Sequence, residues 1–427
     1  MEQVWSSLIQ AEVTSVTSKL PYIGTAVSSL VRSFWPSNRP SIWDQIRDQV
    51  SEMVDQKILA FELQEREGDI DGIKTTLHNY CDAKTHEKGM LLSAVLAQCN
   101  TLSSHLRGSK NSVQLTPLIV TSASIHLTVL SERLYHGEIL YNEDNVDVWE
   151  KELTEMYECY AVFLSDAYSK WKEWRFDQIT CKYYTTKYPI PIPPFFSWET
   201  HGEVLDALTN KKISRSEKLN GSETYYKESV EAIKRLWGNS ANASMIISVA
   251  PSFLFHKYIP ERAKENAVVP DGMRSFIMGP YSATTLGLAI PSFCNTDTDD
   301  LNGDVTQFLV REYNTIDALQ FVYGDRKGNL IGNSEGGEIH IIETPGGAYP
   351  VGMKMRFIPN ILCSVNIKFS DNSESGELGN RFNRSGCVAD ATVQNGFKLV
   401  GGSFRKGVGP SSTTGPGVIQ LSFEYSQ

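Results

Sequence analysis

Hydrophobic and polar positions follow two different periods along this chain. In the first half, apolar residues recur at helical spacing. Ser41 begins one helix, with Asp44 three residues on as a short capping box, and its apolar face is Ile42, Ile46, Val50, Met53, Val54 and Phe61. A longer helix is predicted from about Asn145 to Arg175, where Trp149, Leu153, Met156, Tyr160, Phe163, Ala167, Tyr168, Trp171 and Trp174 share a face. The prolines from Pro189 to Pro194 must end it and are predicted to be extended. After a polar connector, a last helix is predicted from about Glu223 to Trp237, ending at Gly238.

Two segments between these helices contain no Asp, Glu, Lys or Arg: 18 residues from Gly89 to Leu106 and 21 from Asn111 to Ser131. In the second, Thr116 reads as N-cap, Pro117 as first helical residue and Gly137 as the residue just past the end. That leaves about 20 helical residues, about 30 Å, the thickness of a bilayer's hydrocarbon core. The short basic linker Arg107-Gly108-Ser109-Lys110 predicts an antiparallel hairpin. Absence of charge on every face has two physical explanations. One is the central helix of a bundle, where Thr121, Ser122, Ser124 and Thr128 suit tight packing. The other is a hairpin that enters a bilayer, where each central charge would cost about 2.5–3.5 kcal/mol. Residue physics alone leaves both open.

The last 160 or so residues read with period two. Ile361, Cys363, Val365, Ile367 and Phe369 alternate with more polar neighbours, as do Ile419, Leu421, Phe423 and Tyr425. Turn clusters are predicted at Tyr323 to Gly328, Glu335-Gly336-Gly337, Pro345-Gly346-Gly347 and Gly401-Gly402. Short strands so spaced predict a sandwich, barrel or prism.

Composition sharpens this division. All eight tryptophans lie between Trp5 and Trp237, whereas nine of the 31 glycines fall in the first 260 residues and 22 in the rest. The shift places a domain boundary near 256–272. A net charge of −10, shared by both halves, excludes a basic nucleic-acid-binding domain. Seven scattered cysteines without CxxC pairing read as mostly free thiols. The sequence from Met1 lacks a basic, apolar leader, and no stretch of 18 residues is uniformly apolar, so a soluble protein without signal peptide is expected. Eight histidines form no metal or catalytic spacing, and no enzyme motif appears. No cofactor is expected. The acidic stretch Asp297 to Asp304 has its glycine out of EF-hand register and reads as a solvated loop. His126 reads as a hydrogen-bonded core histidine, with a pH switch as the alternative.

The helical half resembles the N-terminal domain of the insecticidal crystal delta-endotoxins. The carriers are Lys19 to Gly24, Trp35-Pro36, Trp43-Asp44-Gln45 through Ile58, and above all Pro117 to Leu127 with Leu130, Glu132, Arg133 and Gly137. The last run is similar to the central hydrophobic helix of those toxins, and the aromatic helix Trp149–Trp174 falls where their sixth helix does. The resemblance covers about residues 18–180. It implies about seven helices whose hairpin inserts into a target membrane, so the candidate inserting residues are Leu91, Leu92, Val95, Leu96, Leu102, Leu118, Ile119, Val120, Ile125, His126, Leu127, Val129 and Leu130.

Residues 270–427 resemble a jacalin-type lectin β-prism, through Ile316 to Asp325, Gly336-Gly337, the strand of Val365, Ile367 and Phe369, and Leu399 to Gly402. Such lectins hold sugar with an aspartate early in the last strand. Here that stretch is Gly417 to Leu421, without an acid, although Gly279 fits the other half of the site. Recognition is therefore assigned to Gly279, Asn333, Glu335, Gly336, Gly337, Ser370, Asp371, Asn372, Gly407, Gly409 and Gly417. The toxins' third domain, a β-sandwich, has no expected counterpart within the 427 residues.

The resulting expectation is a multidomain α plus β protein: an all-α bundle around a central hydrophobic helix, residues 1–260, and an all-β jacalin-like prism, residues 270–427. The implied function is a pore-forming toxin, insecticidal or defensive, that is held in the cytoplasm or in inclusions until release. Its implied partners are a target-cell membrane, a glycan or glycoprotein receptor, and further copies of itself. The alternative is a carbohydrate-binding defence or storage lectin that forms no pore.

Overall fold

A computed structural model describes residues 22–37, 40–53, 56–189, 196–218, 223–264, 274–283, 285, 293–299, 303–358, 361–379, 386–393, 396–408 and 414–426. The proline segment 190–194, residues 265–272 of the expected boundary and the segment Lys19 to Pro21 lie outside them. By internal packing the chain divides into two units, Met1–Trp174 with Ser244–Arg274, and Arg175–Ala243 with Ser275–Gln427.

Seven helices of ten or more residues occupy the N-terminal part among the described residues. They are α1 (Thr25–Phe34), α2 (Ile42–Met53), α3 (Gln56–Asp82), α4 (Thr85–Gly108), α5 (Thr116–Tyr141), α6 (Val146–Asp177) and α7 (Glu223–Val249). A 3-10 segment (Ala250–Lys257) and the one-turn α8 (Glu261–Lys264) follow. Ser41 caps α2 as expected: its Oγ accepts from the Asp44 N–H at 3.0 Å, and Asp44 accepts from the Ser41 N–H at 3.3 Å. Phe61 does not belong to that face. It stands on the next helix and is 69% exposed.

Helix α5 is the axis of the bundle. Every residue from Leu115 to Glu132 is buried, and α1, α2, α4 and the 3-10 segment pack around it. It is longer than expected, running to Tyr141, with Asn142 closing it in the left-handed conformation at φ 55°. Thr116 is its first residue rather than its cap, and the Thr116 hydroxyl donates to Val113 O at 2.7 Å. Gly137 is no stop signal. A Cβ there would lie 2.4 Å from the Trp149 ring, so glycine lets α6 approach closely. Gly238 likewise sits inside α7, where a Cβ would meet the Phe176 ring at 2.4 Å.

The expected polar connector is a three-stranded antiparallel sheet, β1 (Ile179–Pro189), β2 (Phe196–Asp206) and β3 (Lys211–Lys218), in the order β1-β2-β3. The all-α expectation for residues 1–260 fails over this stretch. Ile179 and Val204 bury one face, and the Cys181 thiol donates to Val230 O of α7 at 3.4 Å. A buried bidentate pair, Arg175 to Asp206 at 3.2 and 2.5 Å, ties the end of α6 to β2.

The remaining strands are β4 (Ser275–Tyr281), β5 (Phe293–Asp299), β6 (Gln307–Glu312), β7 (Ile316–Tyr323), β8 (Arg326–Lys327), β9 (Ile331–Gly332), β10 (Glu338–Glu343), β11 (Pro350–Ile358), β12 (Ile361–Phe369), β13 (Leu378–Gly379), β14 (Cys387–Thr392), β15 (Phe397–Val408) and β16 (Thr414–Tyr425). They make three antiparallel sheets, ordered β10-β6-β7-β8 with β9 on β7, β13-β12-β11-β14, and β4-β16-β15-β5. Strands β7, β12 and β16 pack on one another at the centre, and Phe321 meets Phe404 across two sheets at 5.3 Å. Two expectations are corrected here. Gly401-Gly402 is not a turn: both pair with β16, directly after a bulge at Val400 within β15. The acidic stretch is not all loop, because Phe293–Asp299 pairs with β15, Asp297 opposite Arg405.

Candidate functional site

The charge-free hairpin is α4 and α5. The end of α5 returns to the start of α4, with the Ser93 and Tyr141 hydroxyls 3.1 Å apart, so the helices run antiparallel. Leu92, Val95, Leu96 and Leu102 of α4 are buried, and Leu91 is half-buried. On α5, Leu118, Ile119, Val120, Ile125, His126, Leu127, Val129 and Leu130 are all buried. The two helices nevertheless differ. Over Gly89–Leu106, α4 exposes Met90, Ser93, Ala94, Ala97, Asn100, Thr101, Ser104 and His105, a face without Asp, Glu, Lys or Arg, whereas α5 exposes nothing before Tyr135.

Polar bonds fasten α5 to its neighbours. His126 Nδ1 lies 3.0 Å from Tyr160 Oη, which donates to Ser103 Oγ at 2.8 Å, and Arg107 Nε reaches the same Oγ at 3.1 Å. Two residues on, Thr128 Oγ1 lies 3.0 Å from Tyr258 Oη. One further turn on, the fully buried Glu132 accepts from the Gly24 N–H at 2.5 Å and from Tyr80 Oη at 2.8 Å. Burial, with Arg107 and Arg133 nearby, pushes His126 down to about 3, so this core histidine is neutral near pH 7. Sequence reading missed Glu132, Tyr80, Ser103 and Tyr258 as functional residues. An acid at the end of a charge-free helix was the available signal. Its partners, 52 and 108 residues away, carried none.

The residues expected to take part in recognition stand on different sheets. Asn333, Glu335, Gly336 and Gly337 form the exposed turn between β9 and β10. Asn333 Oδ1 accepts from the Glu335 N–H at 3.2 Å, and Arg311 donates to Gly336 O at 2.7 Å. Ser370, Asp371 and Asn372 form the turn after β12. There the Ser373 N–H and hydroxyl both donate to Asp371, at 2.9 and 2.6 Å, and hold its carboxyl below the usual range. Gly279 lies in β4, and its carbonyl accepts from Asn239 Nδ2 at 2.8 Å. Gly417 is buried within β16. Gly407 ends β15, paired with Gly415 and Phe293, and Gly409 lies outside the described residues.

Among the described residues, no group of three or more His, Cys, Asp or Glu could hold a metal ion. No described helix is long and apolar enough to cross a membrane, because the small hydroxyl residues of α5 and the polar face of α4 offset their leucines.

No protein-family model matches the sequence, and no curated protein sequence does either. Solved structures do share the fold. The crystal structure of PirB matches at TM-score 0.60 with 14% identity, over 98% of this chain and 94% of that one. A Bacillus thuringiensis Cry1Da tryptic core variant matches at 0.62 with 12% identity, over 100% of this chain and 74% of the other. The Bacillus thuringiensis insecticidal crystal protein Cry7Ca1 matches at 0.59 with 13% identity, over 98% and 75%. The helical bundle followed by a three-sheet β-structure is thus the fold that these structures share.

Proposed function

We propose that this chain is a pore-forming toxin of the kind those insecticidal structures represent. Loops of the prism recognise a glycan or glycoprotein on a target cell, the α4–α5 hairpin leaves the bundle for the bilayer, and several copies assemble a pore. The observation that carries this reading is a central helix without charge from Leu115 to Ser131, joined by a short turn to a helix that carries no charge from Gly89 to Leu106.

An α-helix satisfies its own backbone polar groups, so α5 loses no main-chain hydrogen bond on entering lipid. Its side chains have to exchange Tyr160, Tyr258 and Tyr80 for new partners. In an assembly, the Ser, Asn and Thr side chains along α4 suit the lining of an aqueous path, while the leucines of both helices face lipid or one another. The Arg107–Lys110 linker sits at one end of the hairpin, where cations remain in water.

Release of dye from liposomes, and from vesicles made of target-cell membranes, tests the reading. Leakage with a multimer resistant to mild detergent is the expected result. Binding to target-cell vesicles without leakage would favour the lectin that forms no pore.

A further inference from the structure

The three-stranded sheet β1–β3 carries a second candidate site that neither the hairpin nor the prism loops use. Exposed aromatic side chains concentrate there: Tyr183 is 40% exposed, Tyr184 48% and Trp198 57%. Tyr183 and Trp198 belong to one face, where Lys227 and Lys187 lie over their rings at 5.7 and 5.9 Å. Tyr184 belongs to the other. Its ring stacks on His201 with centroids 4.7 Å apart and planes 17° apart. His201 is held by Thr186 Oγ1, 2.7 Å from Nε2.

Register places polar groups around this aromatic pair. Tyr184 is opposite His201, and His201 is opposite Ser216; in the next row Glu203 stands between Lys182 and Ser214. Tyr184, His201, Glu203, Ser214 and Ser216 border a shallow cavity of about 130 Å³. The Tyr184, Ser214 and Ser216 hydroxyls have no protein hydrogen-bond partner among the described residues. Arg215 also borders the cavity, and Lys212 pairs with Glu203 at 2.9 Å, which leaves a carboxylate that still accepts hydrogen bonds. The cavity is well below the 300–1,000 Å³ of pockets for drug-sized ligands, which limits an occupant to one small ring.

We infer that this face binds a neutral pyranose, the terminal sugar of a cell-surface glycan. The C–H face of such a ring lies on Tyr184, and its equatorial hydroxyls meet Glu203, Ser214 and Ser216. A phosphate would meet the Glu203 carboxylate, and a lipid surface would have to desolvate the hydroxyls and the ion pair. This binding is independent of insertion, so its failure would leave the pore reading untouched.

The test is calorimetric titration of the full-length protein with methyl glycosides of neutral hexoses and N-acetylhexosamines, alongside uncharged phosphatidylcholine vesicles. At least one glycoside is expected to bind, and Tyr184→Ala and Tyr184→Leu to weaken it about tenfold or more. Glu203→Gln should weaken it less, and Trp198→Ala, on the opposite face, should leave it unchanged. Folding of each variant is checked by circular dichroism, and Tyr184→Leu preserves apolar bulk should the alanine variant misfold. The inference is overturned if no glycoside binds, if folded Tyr184 variants bind normally, or if Tyr184 is instead required for binding to the bare vesicles.

Discussion

Helix α5 and strand β16 are both buried along most of their length, yet their backbone hydrogen bonds go to different places. Strand β16 is bonded on one side to β15 and on the other to β4, so it cannot move without opening two ladders. Helix α5 keeps its main-chain bonds within itself and, among the described residues, is hydrogen-bonded to the rest of the bundle through its side chains. The three-sheet part is therefore held on both sides of its central strand, as the proposed recognition by its turns requires. Under the proposed insertion, α5 would leave the bundle at the cost of side-chain packing and a few polar bonds.

The largest effect expected from this contrast is at the centre of α5. Leu127→Asp buries an unpaired carboxylate and should destabilise the fold by more than about 5 kcal/mol in urea titration. On α4, the exposed position Ala97→Asp should change stability by less than about 0.5 kcal/mol. If the α4 face lines a pore, that same variant shifts conductance toward cations, which planar-bilayer recording reads.

Glu132→Ala should come next. It strips the acceptor from Tyr80 Oη and the Gly24 N–H, a loss of about 2–5 kcal/mol. Because it loosens the grip on α5, the variant should also leak vesicles at lower protein concentration than the parent.

His126 supplies a smaller, pH-dependent effect. Its folded pKa, about 3, lies below the ordinary 6.5, so the unfolded chain binds the proton more readily. Its contribution is complete above pH 6.5 and is lost as pH falls toward 3. Between pH 6.5 and 5 the loss is about 2 kcal/mol, at roughly 1.4 kcal/mol per unit. His126→Gln should flatten that part of the stability profile, as followed by thermal denaturation.

The smallest effect on stability is expected in the prism. Asp371→Ala changes an exposed turn and should leave the melting temperature within a degree or so, while lowering binding to target cells in flow cytometry if that turn contacts the receptor.

Much of this architecture was legible in the residues. The absence of charge from Asn111 to Ser131 marked α5 as a helix without a polar stripe, either surrounded on all sides or entering a bilayer, and the structure shows it at the axis of the bundle. Strict alternation through Ile361 to Phe369 marked β12. Glycine misled where its use is tertiary: Gly137 and Gly238 make room for Trp149 and Phe176, and neither ring is near in sequence. The sheet β1–β3 was missed because its outer face is mostly Lys, Thr, Ser and Glu around Tyr184 and His201, which reads as a connector. Its β-branched and aromatic run Thr180 to Thr186 was the available signal. The fastenings of α5 join residues more than 30 apart, and no local pattern contains them.

The most direct test of the central claim uses the unmodified protein on vesicles containing a lipid with a photoreactive group in the middle of its acyl chain. After irradiation and digestion, mass spectrometry locates the lipid adducts. The account predicts adducts within α4 and α5, residues 85–141, and none in the prism strands. Vesicles that leak while adducts fall only outside α4 and α5 would contradict it.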